Sequence, residues 1–171
     1  MKNIYSNIIK FNSLNLNKII KILKKGEIIG LPTETVYGLA GNAYSNNSIK
    51  KIFNVKKRFK KNPLIIHYYN LNHAKKDVVL NQNFYKVYKK FSPGPITFIV
   101  KKKTNSRIKP LACANLNTVG IRFPKNQIIR KVLKKLNFPL AMPSANKSSG
   151  ISPIKPSDVS EEFNNKIKVI D

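Results

Sequence analysis

At 171 residues and 42% apolar composition, the chain has enough nonpolar mass for a sizeable core and is not a wholesale disordered polymer. Lysine and arginine number 33 against 7 acids, a formal charge of +26, which points to anionic ligands or partners. No stretch approaches the roughly 20 apolar residues of a membrane-spanning helix.

In chain order, Leu16, Ile19, Ile20 and Leu23 sit at helical spacing after Asn15, and Gly26 closes the segment, so a helix is expected over 15–25. Residues 27–31 read as a short strand ending at Pro32. A helix over 47–55 would turn Ile49, Ile52 and Phe53 inward. Residues 64–68 read as a strand, with Asn70 capping a short helix after it. Phe84, Val87, Tyr88 and Phe91 form a helical stripe before the turn Ser92-Pro93-Gly94-Pro95. Strands are expected over 96–100, 119–123, 140–142 and 167–170, and a helix over 127–136 with Ile128, Val132 and Leu136 on one face. Residues 104–117 read as an irregular, mobile loop. Strands and helices alternate without an internal repeat or long linker, so the expectation is one α/β domain over 1–171.

The start Met1-Lys2-Asn3-Ile4 has no apolar block followed by small residues, so no secretory signal is expected. A lone Cys113 cannot form an internal disulfide, and its neighbours Ala112 and Ala114 mark it as a small packed residue. Both features lead to the expectation of a cytoplasmic protein. The charge itself has two readings. Lys, Asn and Ile are residues of A/T-rich codons, so genome composition could supply it; a selected RNA-binding face is the alternative. Only four residues are arginine: Arg58, Arg107, Arg122 and Arg130. Against a background of lysine, a site that retains arginine looks as though it needs a planar fork.

Four segments carry the candidate chemistry. In Lys56-Lys57-Arg58 the two outer cations, two apart, would point the same way on an extended or loop backbone, a pair suited to polyphosphate; a solvated basic face is the alternative. Asn62-Pro63-Leu64-Ile65-Ile66-His67 follows directly, with His67 at a strand end. Thr33-Glu34-Thr35 could simply cap a helix. Thr118 and Arg122 share one side of a strand, and an Arg122 flanked by Ile121 and Phe123 needs an anion, either a ligand carboxylate or an internal acid. Ser144 and Asn146 suit a turn after a strand, and neither looks like a covalent nucleophile.

The set Pro32-Thr33-Glu34-Thr35-Val36-Tyr37-Gly38-Leu39, Lys56-x-Arg58, Asn62-Pro63-Leu64-Ile65-x-His67 and Ser144-x-Asn146 resembles the YrdC/TsaC family of threonylcarbamoyl-AMP synthases. The resemblance runs from about Gly26 to Pro153. It implies a twisted mixed sheet flanked by helices, with a basic concave active-site surface. It implies nucleotidyltransferase chemistry: L-threonine, bicarbonate and ATP give threonylcarbamoyl-AMP and pyrophosphate. Partner threonylcarbamoyl-transferase proteins would then pass the group to adenosine 37 of tRNA. Lys56, Arg58, Ser144 and Asn146 are the implied catalytic set. ATP would meet Lys56, Arg58, Asn62, Thr118, Ser144 and Ser152; threonine would meet Thr35, His67 and Arg122, with Tyr37 and Gly38 as the floor. Mg²⁺ would accompany ATP on phosphate and water. A non-catalytic protein of the same fold that binds tRNA or duplex RNA is the second reading. The family pattern continues beyond the position of Asp171 into a Gly-rich turn and a Ser-Thr-Val strand that helps close the threonine pocket, so without that segment reduced activity is expected.

Overall fold

The structure, a computed structural model, describes residues 5–171. In chain order the elements are β1 (Ile8–Ile9), α1 (Ser13–Lys24), β2 (Ile29–Leu31), β3 (Gly38–Asn42), α2 (Asn46–Lys56), β4 (Ile66–His67), α3 (Leu71–Ala74), β5 (Val78–Val79) and α4 (Gln82–Phe91). Then come β6 (Thr97–Lys102), β7 (Thr118–Arg122), α5 (Gln127–Lys135), β8 (Leu140–Ala141), α6 (Pro156–Glu162) and β9 (Val169–Ile170). The strands form one mixed sheet in the order β1-β9-β2-β3-β8-β4-β7-β6-β5. β4 runs parallel to β7, and antiparallel neighbours flank that pair.

Strand alternation divides the apolar residues between two cores. Leu39, Ile66, Ile121 and Ala141 point to one side, where Ile49, Ile52 and Phe53 of α2 and Phe84 of α4 pack. Ala40, Ile29 and Leu140 point to the other, against Ile19, Ile20 and Leu23 of α1 and Ile129, Val132 and Leu133 of α5. This second face loses its helical cover over β4, β7 and β6. There Ile99, Lys101 and Thr118 are exposed, and Ile65, Gly120 and Arg122 half-buried. The uncovered face is where a ligand can approach the sheet.

Most expected elements form, with shifted ends. The first helix starts earlier, because Asn12 rather than Asn15 is its cap; the Asn12 side chain accepts from the Asn15 amide. Asn70 caps α3 as expected, accepting from the His73 amide. Three corrections concern elements the pattern hid. Gly38–Asn42 is a buried central strand, although it reads Gly-Leu-Ala-Gly-Asn without a β-branched residue. Pro156–Glu162 is a helix, whose Asp158 accepts from the Lys155 amide. The segment 104–117 is a packed connection, not a loose loop. Buried Asp77 accepts from the Ser106 hydroxyl and the Arg107 amide, and Ile108, Ala112 and Cys113 enter the core. Cys113 is the packed residue its neighbours indicated, and burial pushes its thiol up.

Candidate active site

A cavity of about 410 Å³ opens on the uncovered face. Its wall comes from four places: the turn after β2 with the start of β3 (Thr33, Thr35, Val36, Tyr37, Gly38), the connection from α2 to β4 (Arg58, Asn62, Pro63, Ile65), the strand residues His67 and Arg122, and Met142 to Ser144 after β8. Gly38 is required at this junction. A Cβ there would come within 2.4 Å of the Met142 side chain, and Gly38 pairs in a bridge with Ser144.

At one end of the cavity the two cations of the Lys-x-Arg pair separate. Lys56 is the last residue of α2, and Lys57 takes a left-handed conformation (φ 51°) that reverses the chain. The two cations therefore do not share the extended or loop segment expected of them: Lys56 ends a helix, and only Arg58 lies in the loop after it. Lys56 is 1% exposed, so it is not a solvated surface lysine, and it does not line the cavity. Its ammonium donates to the Ser144 carbonyl (2.7 Å) and the Asn146 carbonyl, while its own carbonyl accepts from the Ser148 amide (2.9 Å). Burial, and secondarily the Arg58 charge, lower its pKa to about 8. Arg58 does face the cavity. Its Nε donates to the Asn62 carbonyl and its Nη2 to the Pro63 carbonyl, each at 3.1 Å, so the fork closes the turn that presents Asn62.

Ser144 lines the cavity and Asn146 lies behind it. The Asn146 amide donates to the Lys147 and Gly150 carbonyls at 2.7 and 2.8 Å, and its buried Oδ1 has no partner. Thr118 shares a face with Arg122, as their spacing requires, but sits exposed at the far end of β7, outside the cavity. Ser152 is also outside; it is exposed and borders a separate groove with Asp158, Glu161 and Glu162.

At the other end, His67 and Arg122 are register partners on parallel strands. His67 is 2% exposed and its Nδ1 has no partner. Burial, with the Arg122 charge next, pushes its pKa down to about 3, so the imidazole is neutral at physiological pH. Arg122 has its internal acid: Nη2 donates to Glu34 Oε1 at 2.9 Å, and also to the Thr35 hydroxyl at 3.1 Å. Its buried Nε remains without a partner. Burial pushes the Glu34 carboxyl up, but hydrogen bonds from Arg122 and the Asn126 amide outweigh that, and the net shift is down. Thr33 does not cap a helix. Its hydroxyl accepts from the Thr35 and Val36 amides, a local turn leading into β3.

The structure thus gathers Thr35, Arg58, Asn62, His67, Arg122 and Ser144 around one cavity, sets Lys56 and Asn146 behind its wall, and leaves Thr118 and Ser152 outside. Sequence reasoning passed over Glu34, Pro63 and Met142. Glu34 carried a signal: it is one of only seven acids, set between two threonines.

A family model for Sua5/YciO/YrdC, described as telomere recombination, matches residues 21–170. The threonylcarbamoyl-AMP synthase of Pyrococcus abyssi is 37% identical over 152 residues, covering 86% of this chain and 43% of that protein. That of Histophilus somni strain 2336 is 32% identical over 163 residues, covering 92% and 87%. The crystal structure of P. abyssi Sua5 complexed with L-threonine superposes with a TM-score of 0.90 at 32% identity, covering 95% of this chain and 49% of that one. E. coli YciO shares the fold, with a TM-score of 0.82 at 20% identity. The chain spans under half the length of two curated relatives, the P. abyssi protein (43%) and the threonylcarbamoyl-AMP synthase of Bacillus subtilis (45%), to which it is 32% identical over 158 residues.

Proposed function

The chain belongs to the Sua5/YciO/YrdC family, and from that premise we propose that it makes L-threonylcarbamoyl-AMP from L-threonine, bicarbonate and ATP, releasing pyrophosphate. The observation that carries this reading is one cavity lined by two sets of groups, which we place at its two ends: a guanidinium, an amide and a hydroxyl (Arg58, Asn62, Ser144) at one, and the linked Arg122, His67 and Thr35 at the other. A polyphosphate suits the first end, and an amino acid with a hydroxyl side chain suits the second.

In this reading the threonine α-carboxylate meets Arg122 through the donors that Glu34 leaves available, and neutral His67 offers a hydrogen-bonding nitrogen beside it. The threonine amine attacks CO₂ derived from bicarbonate, loses a proton and becomes a carbamate. A carbamate oxygen then attacks the α-phosphorus of ATP, and the bond to the β-phosphate oxygen breaks, releasing pyrophosphate. The protein contributes position and charge rather than a covalent nucleophile. Arg58 faces the phosphates. Lys56 acts from behind, holding Ser144 and Asn146 in place and adding positive potential. Thr118 and Ser152 would reach ATP only where the nucleotide extends past the cavity along β7 or across the 146–153 loop. Mg²⁺ enters as part of the ATP substrate, held by phosphate oxygens and water.

The product would pass to a threonylcarbamoyl-transferase and then to adenosine 37 of tRNA. The +26 charge favours a second property, weakly selective RNA binding, which would fall steeply with salt. The test of the main reading is incubation of the protein with ATP, bicarbonate and threonine. Pyrophosphate release should depend on threonine and bicarbonate; release independent of threonine, or none, rejects the proposal.

A further inference from the structure

Arg122 sits on a strand with nothing in its local sequence to fix its side chain. A long, rotamer-rich side chain at the edge of a cavity loses entropy when a ligand orders it, and that loss subtracts from affinity. The structure removes this cost in advance. The Glu34 carboxylate joins the end of β7 to the entry of α5, two consecutive elements far along the chain from Glu34 itself. Its Oε1 accepts from Arg122 Nη2 at 2.9 Å, and its Oε2 accepts from the backbone amides of Lys125 and Asn126 at 3.0 and 3.2 Å. Asn126 is the cap of α5, its side chain accepting from the Ile128 amide at 2.9 Å. The carboxylate is thus fixed by a helix entry at one oxygen and fixes a guanidinium with the other. Both side chains are shielded, with 16% of Glu34 and 11% of Arg122 exposed. Thr35 supplies a second acceptor for the same Nη2 at 3.1 Å. The buried Nε has no partner.

We infer that Glu34 is a positioning residue: by holding Nη2 against the entry of α5, it orients the Arg122 guanidinium so that its remaining donors face an anionic group of the ligand, the carboxylate of an amino acid. Glu34 itself does not line the cavity, so it acts through Arg122 and not by contact. A second consequence concerns charge. The pair is formally neutral, so recognition at this end depends on directed hydrogen bonds more than on net attraction, and simple anions should be poor competitors.

The inference rests on the proposed function for its kinetic arm and on geometry alone for its second arm. E34Q is the sharper variant. The Lys125 and Asn126 amides are fixed donors, so the glutamine carbonyl turns to them and its NH₂ faces the guanidinium, a donor against a donor. The helix entry stays satisfied while Arg122 loses its anchor. In E34Q the threonine requirement should rise about tenfold or more, with the ATP requirement within about twofold of wild type. In an Arg122→Ala background, E34Q should add nothing to the threonine requirement. The second arm is the side-chain Nε–H resonance of Arg122 in ¹⁵N-labelled protein, identified by its loss in Arg122→Lys among only four arginines. It should report a rigid side chain in wild type and a mobile one in E34Q. Equal rises in the threonine and ATP requirements, or an Arg122 resonance that stays rigid in E34Q, overturn the inference. If wild-type protein makes no threonine-dependent pyrophosphate, the proposed function falls, and the resonance alone decides the role of Glu34.

Discussion

The two ends of the cavity solve the same problem, presenting positive charge to a ligand, in opposite ways. At the Arg122 end the cation is matched by a carboxylate, and a neutral His67 lies beside it. At the Arg58 end, among the described residues, no acid pairs with either cation; both are held by backbone carbonyls. A carbonyl orients a cation without cancelling its charge. The Arg58 end therefore keeps its positive potential, as a polyphosphate needs, while the Arg122 end trades charge for direction, as a single carboxylate needs. Motif residues alone do not separate these cases, because the difference lies in what else claims each side chain.

The largest effect should come from removing the buried cation. Lys56→Met keeps the apolar stem but leaves the Ser144 and Asn146 carbonyls without their donor. At 1–3 kcal/mol for each group left unpaired, the loss should be roughly 2–6 kcal/mol in urea unfolding, with turnover abolished as the cavity wall loosens. A stable Lys56→Met protein that has lost only ATP affinity would make Lys56 a direct phosphate ligand and erase the contrast between the cations.

Next in size is acid sensitivity at the other end. His67 has its pKa lowered to about 3 by burial and the Arg122 charge, against an ordinary value near 6.5. As pH falls through about 6.5 the unfolded chain binds a proton that the folded protein refuses until about pH 3. The stability from a neutral His67 is thus complete above that range and lost progressively between 6.5 and 3, on the order of 5 kcal/mol in total. Urea midpoints across this window should fall more steeply for wild type than for His67→Gln. Parallel curves would mean that the imidazole is hydrated, and that this end is not the dry, directional one.

Arg122→Ala should raise the threonine requirement by about 1.5–3 kcal/mol equivalent, with little change for ATP, measured by initial rates of pyrophosphate release. Arg58→Lys should show the reverse at about 1–3 kcal/mol in ATP affinity by calorimetry, since lysine keeps the charge but cannot span the Asn62 and Pro63 carbonyls.

Much of the fold was legible in the sequence because its apolar periodicity is strong: Ile49, Ile52 and Phe53 reveal a buried helix face, whereas in α5 the spacing Ile128, Val132 and Leu136 finds the buried Val132 and Leu136 but misses Ile129 and Leu133, which pack in place of the half-buried Ile128. The central strand Gly38–Asn42 was not legible. Its two glycines are there for close approach, Gly38 to Met142 and Gly41 to Ile28, Ile52 and Ser48, and close approach is a tertiary demand without a local pattern. The packing of 104–117 was hidden for the same reason, since its anchor is Asp77, distant in sequence. At the site, six of the side chains the motifs named line one cavity. The burial of Lys56 was not legible, because its partners are the Ser144 and Asn146 carbonyls, 88 and 90 residues on. Nor was Glu34, whose partners Arg122 and Asn126 lie 88 and 92 residues on.

The most direct test of the account is a cross-titration. Threonine and ATP requirements are measured for Arg122→Ala and Arg58→Lys in the same pyrophosphate assay. The account predicts a crossed result: Arg122→Ala shifts threonine and spares ATP, and Arg58→Lys shifts ATP and spares threonine. If both variants shift both substrates by the same factor, the cavity does not have two separate ends, and the reading built on them is wrong.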